Sequence, residues 1–260
     1  MIPVALTIAG SDPGGGAGIQ ADLKTFHQFG VYGEAAVTLL TVQNTCNVFE
    51  VLCLEPRFVR AQVEAVLKDI PPQAAKTGAL GNEAIIEAVA ELAAGLGAPL
   101  VVDPVMISKH GAPLIAASAR PVLEKMLLPR AALITPNLHE AAALAGREVA
   151  TPEHMETAAR LLFERTGASV LVKGGHLPGE AVDVLCHRGE VRHYRSPRIE
   201  TRHTHGTGCT YSAAITACLA LGLELPEAVE RAKRFVTEAI RTSPGLGRGS
   251  GPVNHHAPAQ

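Results

Sequence analysis

Short aliphatic runs alternate along this chain with longer stretches in which apolar residues recur every three or four positions. Residues 4–9 read as a buried strand that ends in the turn-forming Gly10-Ser11-Asp12-Pro13-Gly14-Gly15-Gly16. Ile19, Leu23 and Phe26 then recur at helical spacing, and Gly30 is placed to stop that helix. Val59, Val63, Val66 and Ile70 mark a second amphipathic helix. Three further runs each lead straight into polar or Gly/Pro-rich residues. Leu100-Val101-Val102 meets Asp103-Pro104, Leu133-Ile134 meets Thr135-Pro136-Asn137, and Val170-Leu171-Val172 meets Lys173-Gly174-Gly175-His176. Residues 182–195 read as a polar-faced hairpin around Arg188-Gly189-Glu190. A Gly-rich turn precedes a helix from about Gly208 to Leu221, and another helix carries Val229, Ala232, Val236 and Ile240.

Strands that run into a loop and then a helix predict an α/β fold. The expected core is a mostly parallel sheet with helices on both faces, and its ligand site lies beyond the strands' carboxyl ends. No linker, repeat or charge block divides residues 1–260, so one domain is expected. The composition agrees: 260 residues at 47% apolar suffice for a full core, and few aromatics among many small aliphatics suit close helix-on-sheet layers. A net charge of −2 with scattered Lys and Arg gives no field for nucleic acid. Five cysteines without a CxxC pair or a signal peptide point to reduced thiols in the cytoplasm. No apolar window of about 18 residues suggests a membrane span.

The chemistry concentrates in a few segments. In Thr204-His205-Gly206-Thr207-Gly208-Cys209-Thr210 the glycines permit a sharp turn and close backbone approach. A helix starting there directs free N–H groups and its positive dipole end into a site suited to an oxyanion or phosphate. The same field favours a thiolate, so Cys209 is suited to act as a base or nucleophile, against the plain alternative of a small buried residue. The first loop lacks the Lys-Ser/Thr ending of a P-loop and misses the GxGxxG register. Asn137 and Glu140, three apart at a helix start, fit either a hydrated Mg²⁺ or ordinary helix capping. Lys173 places a cation where a phosphate would lie, or is simply a surface lysine.

Taken together these segments resemble the ribokinase superfamily, and within it the hydroxymethylpyrimidine/phosphomethylpyrimidine kinases of thiamine synthesis. The likeness runs from about Leu6 to about His255. It rests on residues 7–13, 15–25 and 43–45, on Asp103-Pro104-Val105-Met106, on residues 135–141, on residues 173–176, and on residues 205–210. The resemblance implies a ribokinase-like three-layer α/β/α sandwich and an ATP- and Mg²⁺-dependent kinase. Its substrate would be a small pyrimidine phosphorylated twice in succession, and its usual assembly a homodimer. It implies that Gln43 and Asp22 read the pyrimidine, with Gly10, Leu80 and Val105 around it; Leu80 stands where the family often has methionine. It assigns Asn137 and Glu140 to magnesium through water, Lys173, Thr207 and Gly208 to the nucleotide, and Gly206 to Gly208 to an anion hole. Cys209 would accept the hydroxymethyl proton, and Ser108-Lys109-His110-Gly111 would form a flap over the substrate. A cysteine-type pyridoxal kinase is the nearest rival reading, although those enzymes look to carry a second cysteine in the flap. A non-catalytic ligand sensor and a covalent thiol enzyme are more distant ones.

Overall fold

The structure is a computed structural model describing residues 2–108, 111, 113–175, 177 and 179–259. Lys109 and His110 of the expected flap, and His176, lie outside the described residues. The strands are β1 (Val4–Ser11), β2 (Tyr32–Gln43), β3 (Val48–Cys53), β4 (Ala74–Thr77), β5 (Leu100–Val102), β6 (Leu133–Ile134), β7 (Ser169–Lys173), β8 (Ala181–His187) and β9 (Glu190–Ser196). The helices are α1 (Gly18–Gln28), α2 (Pro56–Asp69), α3 (Glu83–Ala93), α4 (Arg120–Val122, one turn of an irregular helical run over 117–130), α5 (Leu138–Ala145), α6 (Pro152–Thr166), α7 (Thr207–Ala220) and α8 (Leu225–Arg241).

These strands form one sheet in the order β3-β2-β1-β4-β5-β6-β7-β8-β9. The middle six, β2 to β7 through β1, are parallel, while β3, β8 and β9 add antiparallel edges. Helices cover both faces, so the period-2 alternation of side chains is hidden within continuous aliphatic runs. Leu6, Ile8, Leu100, Val102, Ile134, Val170 and Val172 join α2, α3, α5 and α6 in one core. Their neighbours Ala5, Val101, Leu133 and Leu171 join α7 and α8 in the other. The three-layer expectation is met.

Helix α7 packs across β1, β4 and β5 at the centre of the second layer, with Ala213, Ala214 and Ala217 fully buried. Such small side chains let the helix axis lie close to the sheet. Its position aims its N-terminus at the carboxyl ends of those strands.

The chain runs outward from β1 to β2 and β3, then returns to the opposite side of β1 at β4. Connections on the two sides diverge there and leave a crevice, which is where open α/β sheets hold ligands. The end of α2 differs from the sequence reading. Helix α2 ends at Asp69, and Ile70 sits at its C-cap, 40% exposed, because Pro71 cannot continue the helix. The last strands form the expected hairpin, whose turn places Arg188 and Gly189 at φ +51° and +81°.

Candidate active site

A cavity of roughly 780 Å³ opens at the carboxyl ends of β1, β4, β5, β6 and β7. Gly10, Asp22, Gln43, Val105, Asn137, Glu140, Lys173, Gly206, Thr207, Gly208 and Cys209 all line it, so eleven of the twelve residues singled out from the sequence converge. Leu80 does not. It is 3% exposed and packs with Ile85 and Ile86 in the core beneath the sheet, while Gly78 and Ala79 form the wall beside it. Burial in an apolar layer stabilises a leucine side chain by about 2 kcal/mol relative to exposure, and this outweighs a place on a wetted wall.

The mouth of α7 is built from glycine by necessity. Gly206 is its N-cap at φ +77°, and a Cβ there would stand 1.7 Å from the Gly16 carbonyl oxygen. No side chain caps this end. Thr207 N donates to Thr204 O at 3.3 Å, so the next N–H groups of α7, those of Gly208 and Cys209, are the ones left for a ligand at the positive end of the helix dipole. A Cβ on Gly208 would lie 3.4 Å from Lys173 Nζ and 3.8 Å from Asp103 Oδ2, so bare backbone faces the lysine across the cavity.

Cys209, one residue on, corrects the sequence reading of a thiolate. Burial pushes its thiol up to about 12, the charges of Asp22 and Asp103 add to the push, and the Lys76 ammonium and the Gly18 N–H only partly oppose it. The helix dipole is outweighed by burial beside two carboxylates. The resting side chain is a neutral thiol.

Lys173 Nζ donates to Asp103 Oδ1 at 2.9 Å, and Thr135 Oγ1 and Ser212 Oγ donate to the same carboxylate at 3.2 and 3.3 Å. Burial disfavours the lysine's charge, but Asp103 and Glu140 hold its pKa above the ordinary value. Asn137 and Glu140 form a reciprocal capping box on α5: Glu140 N donates to Asn137 Oδ1 at 3.0 Å and Asn137 N to Glu140 Oε2 at 2.8 Å. Burial pushes Glu140 up to about 7, against the pull of Lys173. Among the described residues no three His, Cys, Asp or Glu side chains converge as a metal cage.

Three contributors escaped the sequence reading. Asp12 organises the first loop: Gly14 N donates to its Oδ1 at 2.7 Å, and Gly16 N and Ala17 N donate to Oδ2 at 3.1 and 2.8 Å. His205 Nε2 lies 2.9 Å from the same Oδ2, tying that loop to the mouth of α7. Burial pushes the Asp12 carboxyl up, yet bonds from His205 and Gln43 bring it down to about 2. Gln43 thus has Asp12 as its carboxylate neighbour. The backbone of His205 is in turn clasped by the 251–253 segment, accepting from Val253 N at 3.3 Å and donating to Gly251 O at 3.0 Å. Lys76 and Asp22 form an ion pair of 2.8 Å on the cavity wall, both side chains 0% exposed.

Residues 12–254 match the family model described as phosphomethylpyrimidine kinase. The chain belongs to that family. Its similarity to the hydroxymethylpyrimidine/phosphomethylpyrimidine kinase of Synechococcus elongatus is 47% identity over 259 residues, covering 99% of this chain and 98% of the relative. A crystal structure of phosphomethylpyrimidine kinase from Clostridium difficile 630 superposes with a TM-score of 0.82 at 44% identity, covering 92% of this chain and 99% of that one. An ADP complex of Bacillus subtilis pyridoxal kinase superposes with a TM-score of 0.91 at 40% identity, covering 99% and 98%. The ribokinase-like fold expected from the motifs is therefore shared with solved kinases, and phosphoryl transfer is the chemistry of this family.

Proposed function

We propose that this phosphomethylpyrimidine-kinase family member transfers the γ-phosphoryl of ATP to the hydroxymethyl group of 4-amino-5-hydroxymethyl-2-methylpyrimidine, and then a second phosphoryl to the product, in thiamine diphosphate biosynthesis. One observation carries the reading: Cys209, the glycine mouth of α7 and Gln43 share one cavity. Its volume suits a small heterocycle beside a triphosphate.

Gln43 and Asp22 read the ring nitrogens and the exocyclic amine, with Gly10 and Val105 bounding the ring. The hydroxyl oxygen attacks the γ-phosphorus in line as the bond to ADP breaks. Cys209 gives up its thiol proton to solvent as the substrate binds, and the resulting thiolate takes the hydroxyl proton. The turn from Gly206 to Gly208 meets the charge on the transferring group with backbone N–H groups, Thr207 N first having to leave Thr204 O, and Lys173 meets it with an ammonium held in place by Asp103. Fixed dipoles and positioning supply most of the catalysis in such transfers.

Magnesium fits the donor set as an ion that keeps its waters. Two carboxylates, Asp103 and Glu140, flank Lys173, and Glu140 together with Asn137 is disposed to hold such waters. Bound there, it supplies charge neutralisation of the triphosphate. The protein acts as one catalytic unit, a homodimer of the cytoplasm without nucleic-acid or membrane partners. No helix among the described residues is long and apolar enough to cross a membrane.

Pyridoxal phosphorylation is the second reading, favoured by the close superposition on the Bacillus subtilis enzyme. The segment Ser108-Lys109-His110-Gly111 carries no cysteine, which favours the pyrimidine. The deciding experiment measures Mg-ATP turnover on hydroxymethylpyrimidine, its monophosphate, pyridoxal and pyridoxine, repeated with Cys209→Ala. The pyrimidines are expected to dominate, with kcat on them falling about 10²- to 10⁴-fold in the variant. Strong pyridoxal turnover with none on the pyrimidines refutes the assignment.

A further inference from the structure

Three elements meet beneath the substrate cavity at the switch between β1 and β4. Thr7 comes from β1, Asp22 from α1 and Lys76 from β4, and all three side chains are fully buried. Their hydrogen bonds are lopsided. Lys76 Nζ donates to Asp22 Oδ2 at 2.8 Å and Thr7 Oγ1 donates to the same oxygen at 2.6 Å. The other oxygen, Oδ1, is buried without a hydrogen-bond partner among the described residues. A buried acceptor left unmade is costly, and a ligand donor offsets that loss. Asp22 and Lys76 line the cavity, which sets this site against the space that would hold the ring.

Which kind of ring group satisfies Oδ1 depends on the charge of Asp22. An ionised carboxylate accepts only, whereas a protonated one also donates. Burial pushes the Asp22 carboxyl above its ordinary value and the Asp103 charge adds to the push, while the Lys76 charge is the strongest opposing influence, followed by the bonds from Lys76 and Thr7; the Cys209 thiol also faces Asp22. We propose that Lys76 is a positioning residue that keeps Asp22 ionised, so that the pocket floor accepts a hydrogen bond and selects a heterocycle bearing an amino group over its oxo counterpart. This inference rests on the reading that Asp22 meets the exocyclic amine.

The test compares kcat/KM for the 4-amino hydroxymethylpyrimidine and its 4-oxo analogue, with Mg-ATP, in the wild-type protein and in Lys76→Met. Hydrogen-bonding sites reject ill-matched analogues by up to about 10⁴-fold, so the wild type is expected to prefer the amine at least ~100-fold. In Lys76→Met the preference is expected to shrink at least tenfold at pH 6.5 or so and to recover as pH rises and Asp22 ionises. Equal losses on both substrates, with the preference intact at every pH, mark a purely structural lysine and overturn the proposal. Should Lys76→Met fail to fold, the wild-type preference itself decides. It stays flat from about pH 6 to 9 if the ammonium holds Asp22 ionised, and a collapse on the acid side within that range overturns the proposal. A wild type with no preference refutes instead the assignment of Asp22 to the amine.

Discussion

Replacing Gly206 with alanine puts a methyl carbon 1.7 Å from the Gly16 carbonyl oxygen, where van der Waals contact needs a little over 3 Å. The backbone at the mouth of α7 must therefore withdraw from the first loop by roughly an ångström or more. It also has to hold φ +77°, which costs an L-residue about 1–2 kcal/mol. Gly222 supplies the control. Its φ is +86°, but a Cβ there meets nothing within 4 Å and it lies at the far end of α7. Gly222→Ala thus carries the dihedral strain alone. Gly222→Ala is expected to lose about 1–2 kcal/mol of stability, a few degrees in Tm for a chain of this size, and Gly206→Ala more, because the clash adds to the strain. Only Gly206→Ala should lose catalysis. Displacing an N–H pair from the transferring phosphoryl lowers kcat about 10²- to 10³-fold with KM for the pyrimidine nearly unchanged. ADP release in a coupled assay, alongside thermal melts, reads both effects. A Gly206→Ala protein with kcat within threefold of wild type refutes the anion-hole reading, as does an equal kcat loss in Gly222→Ala.

Glu34 on β2 is buried, its Oε2 has no hydrogen-bond partner among the described residues, and burial with the nearby Asp69 charge raises it from 4.5 to about 7. The folded state then binds the extra proton between those values, so stability is fullest below pH 4.5 and declines by roughly 3 kcal/mol as pH rises to 7. Glu34→Gln should raise Tm by several degrees at pH 8 and not at pH 4; an equal gain at both pH values contradicts this. At Cys209, a neutral thiol predicts slower iodoacetamide labelling at pH 7.5 than at exposed Cys46, measured by peptide mass spectrometry. Faster labelling of Cys209 restores the thiolate. Glu140, raised to about 7, gains its charge as pH rises through that value, so kcat should climb there and Glu140→Gln should remove the climb. A wild-type profile flat from pH 6 to 8 counts against a role for its charge.

The parallel sheet was legible because each of its inner strands is both aliphatic and followed by a turn-forming cluster, as at Val102-Asp103-Pro104 and Ile134-Thr135-Pro136-Asn137. Strand β4 was not. Its four residues, Ala-Ala-Lys-Thr, carry a lysine that composition assigns to the surface, and only the fold reveals that Asp22, 54 positions away, receives it. The Asp12–His205 contact spans 193 positions and has no local signature. At Cys209 the sequence displayed the helix mouth but not the two carboxylates packed around it, and those reverse the sign of the pKa shift. Asn137 and Glu140 were legible as the cap of α5, and they also line the cavity. Leu80 misled because its neighbours Gly78 and Ala79 do reach the wall, and nothing in the sequence says on which residue the chain turns inward.

The clasp of residues 251–253 on His205 has a bearing on biosynthesis. During translation the mouth of α7 emerges some forty-five residues before the segment that braces it. A nascent chain can already have its sheet assembled while the entrance to this helix is still unsupported. The entrance to α7 thus depends on a brace that any chain stopping short of residue 251 would lack.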